Sequence, residues 1–343
     1  MKGIYIILII SILFSNSLEF DNEISTSSDY SLLVDKIRKD VIDEVLLNLP
    51  KRQNTDLLKM NTEMLKTKEQ YSLNEPESAY LVYKWIAENI EFNFTNPKLN
   101  QSPSSAFKAG KSGSIGITAL FKNMCAFMKI ESDTISGHTK LVFVNPEEFI
   151  KEVEHNWNYI LIDNNYYLID AAMGTGNSYD INFKKDFSDF YFGTKPELFI
   201  LWHFPEDSKW QLLSKTITDE EFASIPLYFK YFFTKGFKDI EPNCYIITIK
   251  DDSKITLTYN ESITDLKIQY QTYKIVNGKF VVQAYKNLTI SNGKIELNLN
   301  LLDKNTIYLS IEINYNPMVI FKINFSKMWI YIFQKGFFSE KKG

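Results

Sequence analysis

From about residue 245 the apolar residues stop recurring at helical spacing and begin to alternate with polar ones. ITLTY, DLKIQY, KFVVQAY, LTISN, KIELNLN, IYLSIEI and MVIFKINF all read with a period of two. That period puts successive side chains on opposite faces of a strand, one face inward and one in water. Asn277-Gly278 and Asn292-Gly293 supply dipeptides suited to two-residue hairpin turns. About seven such segments in some 85 residues predict an antiparallel β-sandwich over 240–326.

Upstream the period is helical. Leu32, Leu33, Ile37, Val41, Val45 and Leu46 predict a first helix that Pro50 ends, and residues 54–67 predict a second, more polar one. The strongest helix signal is 77–92. Glu75, Pro76 and Glu77 open it, and Tyr80, Val82, Tyr83, Ile86 and Ile90 line its apolar face. Residues 114–128 carry Ile117, Leu120, Phe121, Met124 and Met128 on one face and follow the Gly/Ser turn GKSGSIG, so they predict a buried helix. Short strands are expected at 140–144, 157–162 and 166–170. The turn Asp163-Asn164-Asn165 joins the last two into a hairpin.

Several classes of protein are excluded. The 343 residues carry a net charge of −4, which gives no electrostatic basis for binding nucleic acid. With 45% hydrophobic and 15% aromatic residues, the chain can bury a core and does not read as disordered. Two cysteines rule out a disulfide framework or a multi-cysteine zinc site. Cys125 lies in the apolar helix and reads as a core thiol. Pairing with Cys244 stays open.

Residues 1–17 read as a secretory signal peptide. Lys2 is the positive end, Ile4–Phe14 the apolar run, and Ser15, Asn16 and Ser17 lie near the expected cleavage point. The run is short for a membrane span, and no later stretch is long enough for one. A secreted chain follows as the expectation, with an uncleaved N-terminal anchor as the alternative. Five Asn-x-Ser/Thr sequons, at Asn93, Asn100, Asn260, Asn287 and Asn324, are no more than this composition supplies by chance.

The three histidines bound the chemistry. His155 precedes a predicted strand, and Asp170 ends the next one. An antiparallel hairpin therefore makes them neighbours, and a carboxylate beside an imidazole fixes its tautomer and stabilises its cation. Ser114 opens the buried helix, where the positive end of the helix dipole and free N–H groups could receive an oxyanion. A helix cap is its ordinary alternative role. His203, in WHFPED, is expected to pack and order its loop. A metal site would need His138, His155 and His203 to converge, and nothing in their spacing suggests that. Trp202 and Trp210 are expected in ordinary packing.

Read in order, these segments resemble the kyphoscoliosis-peptidase branch of the transglutaminase-like superfamily. AYLVYKWIAENIEF is similar to its leading helix. SGSIGITALFKNMCAFMKIESDTISGHTK is similar to its nucleophile helix and the Gly-x-x-Lys strand entry from Gly137 to Lys140. HNWNYILIDNNYYLIDAAMGTG resembles its His-x-Trp-Asn and Tyr-x-x-x-Asp hairpin. FYFGTKPELFILWHFPEDSKWQLL resembles its closing His-x-Pro and Trp-Gln-Leu-Leu elements. The likeness covers about residues 72–215. It implies an α+β fold with a papain-like transglutaminase core, within 72–235. N-terminal helices (18–71) precede this core, the sandwich follows it, and a tail (327–343) ends the chain.

The resemblance implies a Cys-His-Asp triad acting on peptide or Gln-amide groups, with no cofactor or metal. Here the cysteine position falls on Ser114, His155 and Asp170 are retained, the Gly expected two places before the nucleophile is Ser112, and a Trp expected after the Asp is Met173. Cys125 cannot replace the lost thiol, because eleven residues of helix place it about 16 Å away. Serine needs stronger support from its base and oxyanion donors than a thiolate–imidazolium pair does. The expectation is a catalytically inactive homologue that binds proteins or peptides. The alternatives are an active peptidase or acyl transferase using Ser114, His155 and Asp170, and a binding module in which the sandwich does everything.

Overall fold

The computed structural model describes residues 30–142, 150–177, 184–259, 266–277, 279–291 and 293–325. The expected signal peptide and the tail lie outside the described residues.

The N-terminal region folds as α1 (Lys39–Asn48) and α2 (Leu57–Gln70). The first helix begins later than its apolar spacing suggests. Ser31 instead bridges Thr194, and the Leu32 N–H donates to Gly193 O, which holds residues 31–33 against the central domain. α1 ends at Asn48, ahead of Pro50, which disfavours helical backbone in the residue before it. Asp56 caps α2 by accepting from the Lys59 N–H.

α3 (Glu75–Asn89) starts at a reciprocal capping box between Asn74 and Glu77, with Pro76 in its first turn. Glu77 also takes a forked ion pair from Arg38, at 2.5 and 2.6 Å, which ties α3 to the segment entering α1. Tyr80, Leu81, Val82, Tyr83, Trp85 and Ile86 are all buried, so α3 is a central helix rather than a surface one. α4 (Pro103–Ala109) ends on Gly110, whose φ of 66° is the left-handed cap that glycine adopts without strain. α5 (Ser114–Phe127) follows and buries Ile117, Leu120, Phe121, Met124 and Cys125. A two-residue parallel pair, β1 (Glu91–Phe92) and β2 (Lys111–Ser112), leads into it.

The central sheet is antiparallel throughout. It contains β3 (Glu131–Val142), β4 (Ile150–Ile162), β5 (Asn165–Ile169), β6 (Phe192–Thr194) and β7 (His203–Pro205), in the order β6-β5-β4-β3-β7. β3 begins nine residues before the expected strand at 140. ESDTISGHT is polar and lacks an apolar alternation, yet it pairs along its whole length with β4. The β4–β5 hairpin turns through Asp163 and Asn164 at φ of 50° and 61°, a region Asx residues tolerate.

The C-terminal region forms two sheets. One has Phe237–Glu241, Lys254–Tyr259, Lys294–Asn298 and Ile290–Ser291 in that order. The other has seven strands centred on Ile268–Val276, Thr306–Ile313 and Asn316–Phe325. Alternation works as expected in Lys294–Asn298, where only Ile295 and Leu297 are buried. These residues share one apolar cluster with Leu309, Ile311 and Phe321 of the larger sheet, so the core lies between two layers. Three features differ from the sequence expectation. Leu227–Tyr228 joins the larger sheet from well before residue 240, Phe237–Glu241 already belongs to the smaller one, and Ile246–Ile249 pairs parallel to Asn316–Phe325.

Among the described residues no helix is long and apolar enough to cross a membrane. Cys125 is buried and Cys244 half-buried, and both are free thiols.

Candidate functional site

The β4–β5 hairpin register places Asn158 opposite Ile169, so His155 overhangs the end of β5, where the chain turns into α6 (Ala171–Gly174) at Asp170. His155 Nε2 lies 2.6 Å from Asp170 Oδ2. The carboxylate is fully buried, and its Oδ1 accepts the Met173 N–H at 2.9 Å, capping α6. Met173, where the resemblance led us to expect Trp, therefore serves the site through its backbone.

The sequence expectation kept His203 apart, and the structure corrects it. Its Nε2 lies 2.8 Å from the same Oδ2 that His155 uses. Pairing of His203 with Thr139 sets β7 beside β3, and the ring stacks on Phe199 with centroids 3.9 Å apart. His203 is packed, as expected, but against the site itself. No local signal announced this, because His203 is 33 positions beyond Asp170. The His-x-Pro element was visible without its role. His138 stays outside, within ion-pair reach of Asp219 at 3.4 Å.

Burial would push the Asp170 carboxyl up, but the charges and hydrogen bonds of His155 and His203 outweigh it and hold the group well below the usual carboxylate range. An ionised carboxylate only accepts, so each Nε2 carries its proton toward Oδ2. Burial pushes His203 down, against the pull of its bond to Asp170. Its Nδ1 sits 3.2 Å from Phe199 O, a contact that becomes a hydrogen bond only when Nδ1 is also protonated. The nearby phenols of Tyr83 and Tyr191 are pushed up by burial and by Asp170, and stay neutral.

His155, Asp170 and His203 offer three ligand atoms within 4.8 Å of one another. Two ligands 2.0–2.1 Å from a tetrahedral ion stand about 3.3 Å apart. The observed 2.6 and 2.8 Å are hydrogen-bond lengths, so the cluster fits protons between its members better than an ion.

Trp157 stands two residues along β4 from His155, with its ring edge-on to His203 at 4.9 Å. Gly137 on β3 makes room for it. A Cβ there would lie 2.2 Å from Phe204 O and 2.6 Å from the Trp157 ring. Asn158 donates to Thr118 O of α5 and Asp133 O of β3, both at 3.2 Å, and so fastens the sheet to the helix. This gives the Asn of the His-x-Trp-Asn string a structural task.

Ser114 is the first residue of α5, behind Gly113 as the N-cap. Its side chain is 1% exposed, and its Oγ has no hydrogen-bond partner among the described residues. It is therefore neither a cap nor bonded to His155. The loop over 96–100 closes on this helix end. Gly113 N–H donates to Leu99 O at 3.0 Å and Ile115 N–H to Pro97 O at 3.3 Å. Ser112 Oγ lies 3.0 Å from Leu99 O and 3.1 Å from Asn100 O. A Cβ on Gly116 would meet Asn100 O at 2.1 Å, and one on Gly113 would meet Asn96 O and Pro97 O at 2.3 Å. Backbone carbonyls of the chain thus occupy the positive end of the helix. Cys125, further along α5, is buried, and burial pushes its thiol up.

Helix α5, which opens at Ser114 and packs on an antiparallel sheet presenting the His155–Asp170 pair, makes this an α+β protein. No family model matches the chain. The kyphoscoliosis peptidase of Homo sapiens is 28% identical over 189 residues, covering 53% of this chain and 29% of that protein. The Lim and transglutaminase domain protein ltd-1 of Caenorhabditis elegans is 25% identical over 228 residues, covering 61% of this chain and 30% of that one. The chain thus spans under a third of the length of these relatives. A solved structure titled as a TGase overlaps 45% of this chain and 37% of its own at 12% identity, with a TM-score of 0.25, too low to carry weight. These relatives support a kyphoscoliosis-peptidase-like member of the transglutaminase-like family.

Proposed function

We propose that this chain is an exported transglutaminase-like protein that has lost catalysis and uses its old cleft and β-sandwich to bind proteins or peptides. The unbonded, buried hydroxyl of Ser114 carries this reading. A serine nucleophile needs its proton drawn off by a hydrogen-bonded base and needs an open path for substrate. Here neither support is in place, and carbonyl oxygens cover the helix end where an oxyanion would need donors. Residues 1–17 as a signal peptide motivate export.

One observation favours the alternative, an active peptidase or acyl transferase built on Ser114, His155 and Asp170. The His155–Asp170 bond is intact, and it leaves the other ring nitrogen of His155 available as a base. Amine incorporation into Gln peptides, peptide hydrolysis and labelling by a fluorophosphonate separate the two readings. The wild-type protein is expected to be inert in all three. Labelling at Ser114 that is abolished by His155→Ala would establish the active alternative instead. For export, mass spectrometry of the secreted chain is expected to show a new N-terminus near residues 17–19, and an intact Met1 would contradict it.

A further inference from the structure

We infer that His203 is a positioning residue for His155, fixing it through the carboxylate oxygen they share. Asp170 Oδ2 receives His155 Nε2 from β4 at 2.6 Å and His203 Nε2 from β7 at 2.8 Å, while Oδ1 receives Met173 N from α6. Three donors on three separate elements leave the carboxylate no rotation that keeps its bonds. The His155 ring is then held with its Nε2 proton on Asp170, which leaves Nδ1 as the ring nitrogen without a described partner. His203 is itself held by its stack on Phe199 and by the Trp157 edge.

A two-member pair would be looser. With His203 removed, Oδ2 would keep one donor, and the carboxylate could swing about its bond to Met173 N. The His155 ring could then flip or exchange its tautomer. Among the described residues, Tyr83 and Tyr191 also face the Asp170–His155 pair, and both phenols are neutral. The inference rests on this geometry alone and holds whether Ser114 reacts or not.

The test reads the imidazoles directly, so it does not depend on activity. The chain has only three histidines, and each ring can be assigned in long-range proton–nitrogen spectra of 15N-labelled protein. In the wild-type protein at pH 7.5, His155 and His203 should each show a hydrogen-bonded Nε2 proton slow to exchange with water. In His203→Phe, which keeps a ring on Phe199 but deletes the donor, the His155 Nε2 proton should exchange at least tenfold faster and its nitrogens should average between tautomers. His203→Gln, which restores an N–H near the same place, should recover most of the protection. Unchanged His155 signals in a folded His203→Phe would overturn the inference. So would a wild-type spectrum in which His203 lacks a protected Nε2 proton, a result that needs no variant to fold.

Discussion

Replacing Ser114 with alanine should stabilise the protein. The hydroxyl is buried and makes no hydrogen bond among the described residues, so folding strips it of water without compensation. Such a group costs about 1–3 kcal/mol. Alanine removes that cost and leaves a void about the size of one oxygen. At about 24 cal/mol per Å3, a void of ~15 Å3 returns a few tenths of a kcal/mol. The net gain expected is about 1 kcal/mol. Urea unfolding followed by tryptophan fluorescence should show a higher midpoint at an unchanged slope. Destabilisation by about 1 kcal/mol or more would refute the reasoning, because it would mean that the folded protein bonds this hydroxyl. His155 would then be the partner to examine, by a double-mutant cycle with His155→Ala, and the serine-enzyme alternative would gain the support it lacks.

Asp170→Ala leaves two imidazole N–H groups and one backbone N–H buried without an acceptor, so a loss of about 3–5 kcal/mol is expected, measured by urea unfolding. Gly137→Ala forces a methyl against the Phe204 carbonyl and the Trp157 ring and should cost roughly 1–3 kcal/mol by the same assay. Stability should fall on acidification in two stages. The folded state holds His203 below its unfolded value, so its contribution is complete above about pH 6.5 and is lost as pH falls through the folded value. Asp170 is likewise depressed, so its contribution is present above about pH 3.9 and is lost on further acidification. Urea midpoints measured from pH 8 down to about pH 1.5 should show both stages, with the first absent in His203→Gln. Ser114→Cys should create a thiol that iodoacetamide alkylates no faster than Cys125 near neutral pH. Position 114 is buried under the 96–100 segment, whose carbonyls take up the helix end, and Cys125 is buried with its thiol pushed up. Peptide mapping that found position 114 modified first would contradict this.

The sequence made some parts of this site legible and hid others, for identifiable reasons. His155 and Asp170 could be paired on paper because a tight Asp-Asn turn sets a hairpin register, and register is local. The helix behind Ser114 could be read from apolar spacing for the same reason. β3 was hidden because its residues are mostly polar and its pairing partner lies about twenty positions away. His203 was hidden because it reaches Asp170 across two intervening strands, through a pairing of β7 with β3 that no periodicity encodes. The closure of 96–100 over the helix end was equally invisible. It depends on backbone carbonyls, which every residue carries, and on the bare Cα of Gly113 and Gly116.

Under the proposed reading, in which Ser114 stands at a former cysteine position, the His155–Asp170 pair needs no residual catalysis to explain it. Asp170 is a buried charge that joins four elements, through His155 on β4, His203 on β7, Met173 in α6 and its own place at the end of β5. Taking away any single partner strands charge or N–H groups in a dry interior, at a cost of several kcal/mol against a total stability of about 5–15 kcal/mol. A cysteine at position 114 has no such ties. The Oγ that stands there has no hydrogen-bond partner among the described residues, so exchanging sulfur for oxygen or for a methyl disturbs little else. On that reading, exchange at position 114 disturbs the fold least, and loss of Asp170 is among the most costly changes. The asymmetry can be measured. Variants at position 114 should stay within about 1–2 kcal/mol of wild type, whereas variants at 170 should not. If Asp170→Asn were as mild as Ser114→Ala, the retained pair could not be attributed to folding, and a functional reason for keeping it would have to be found.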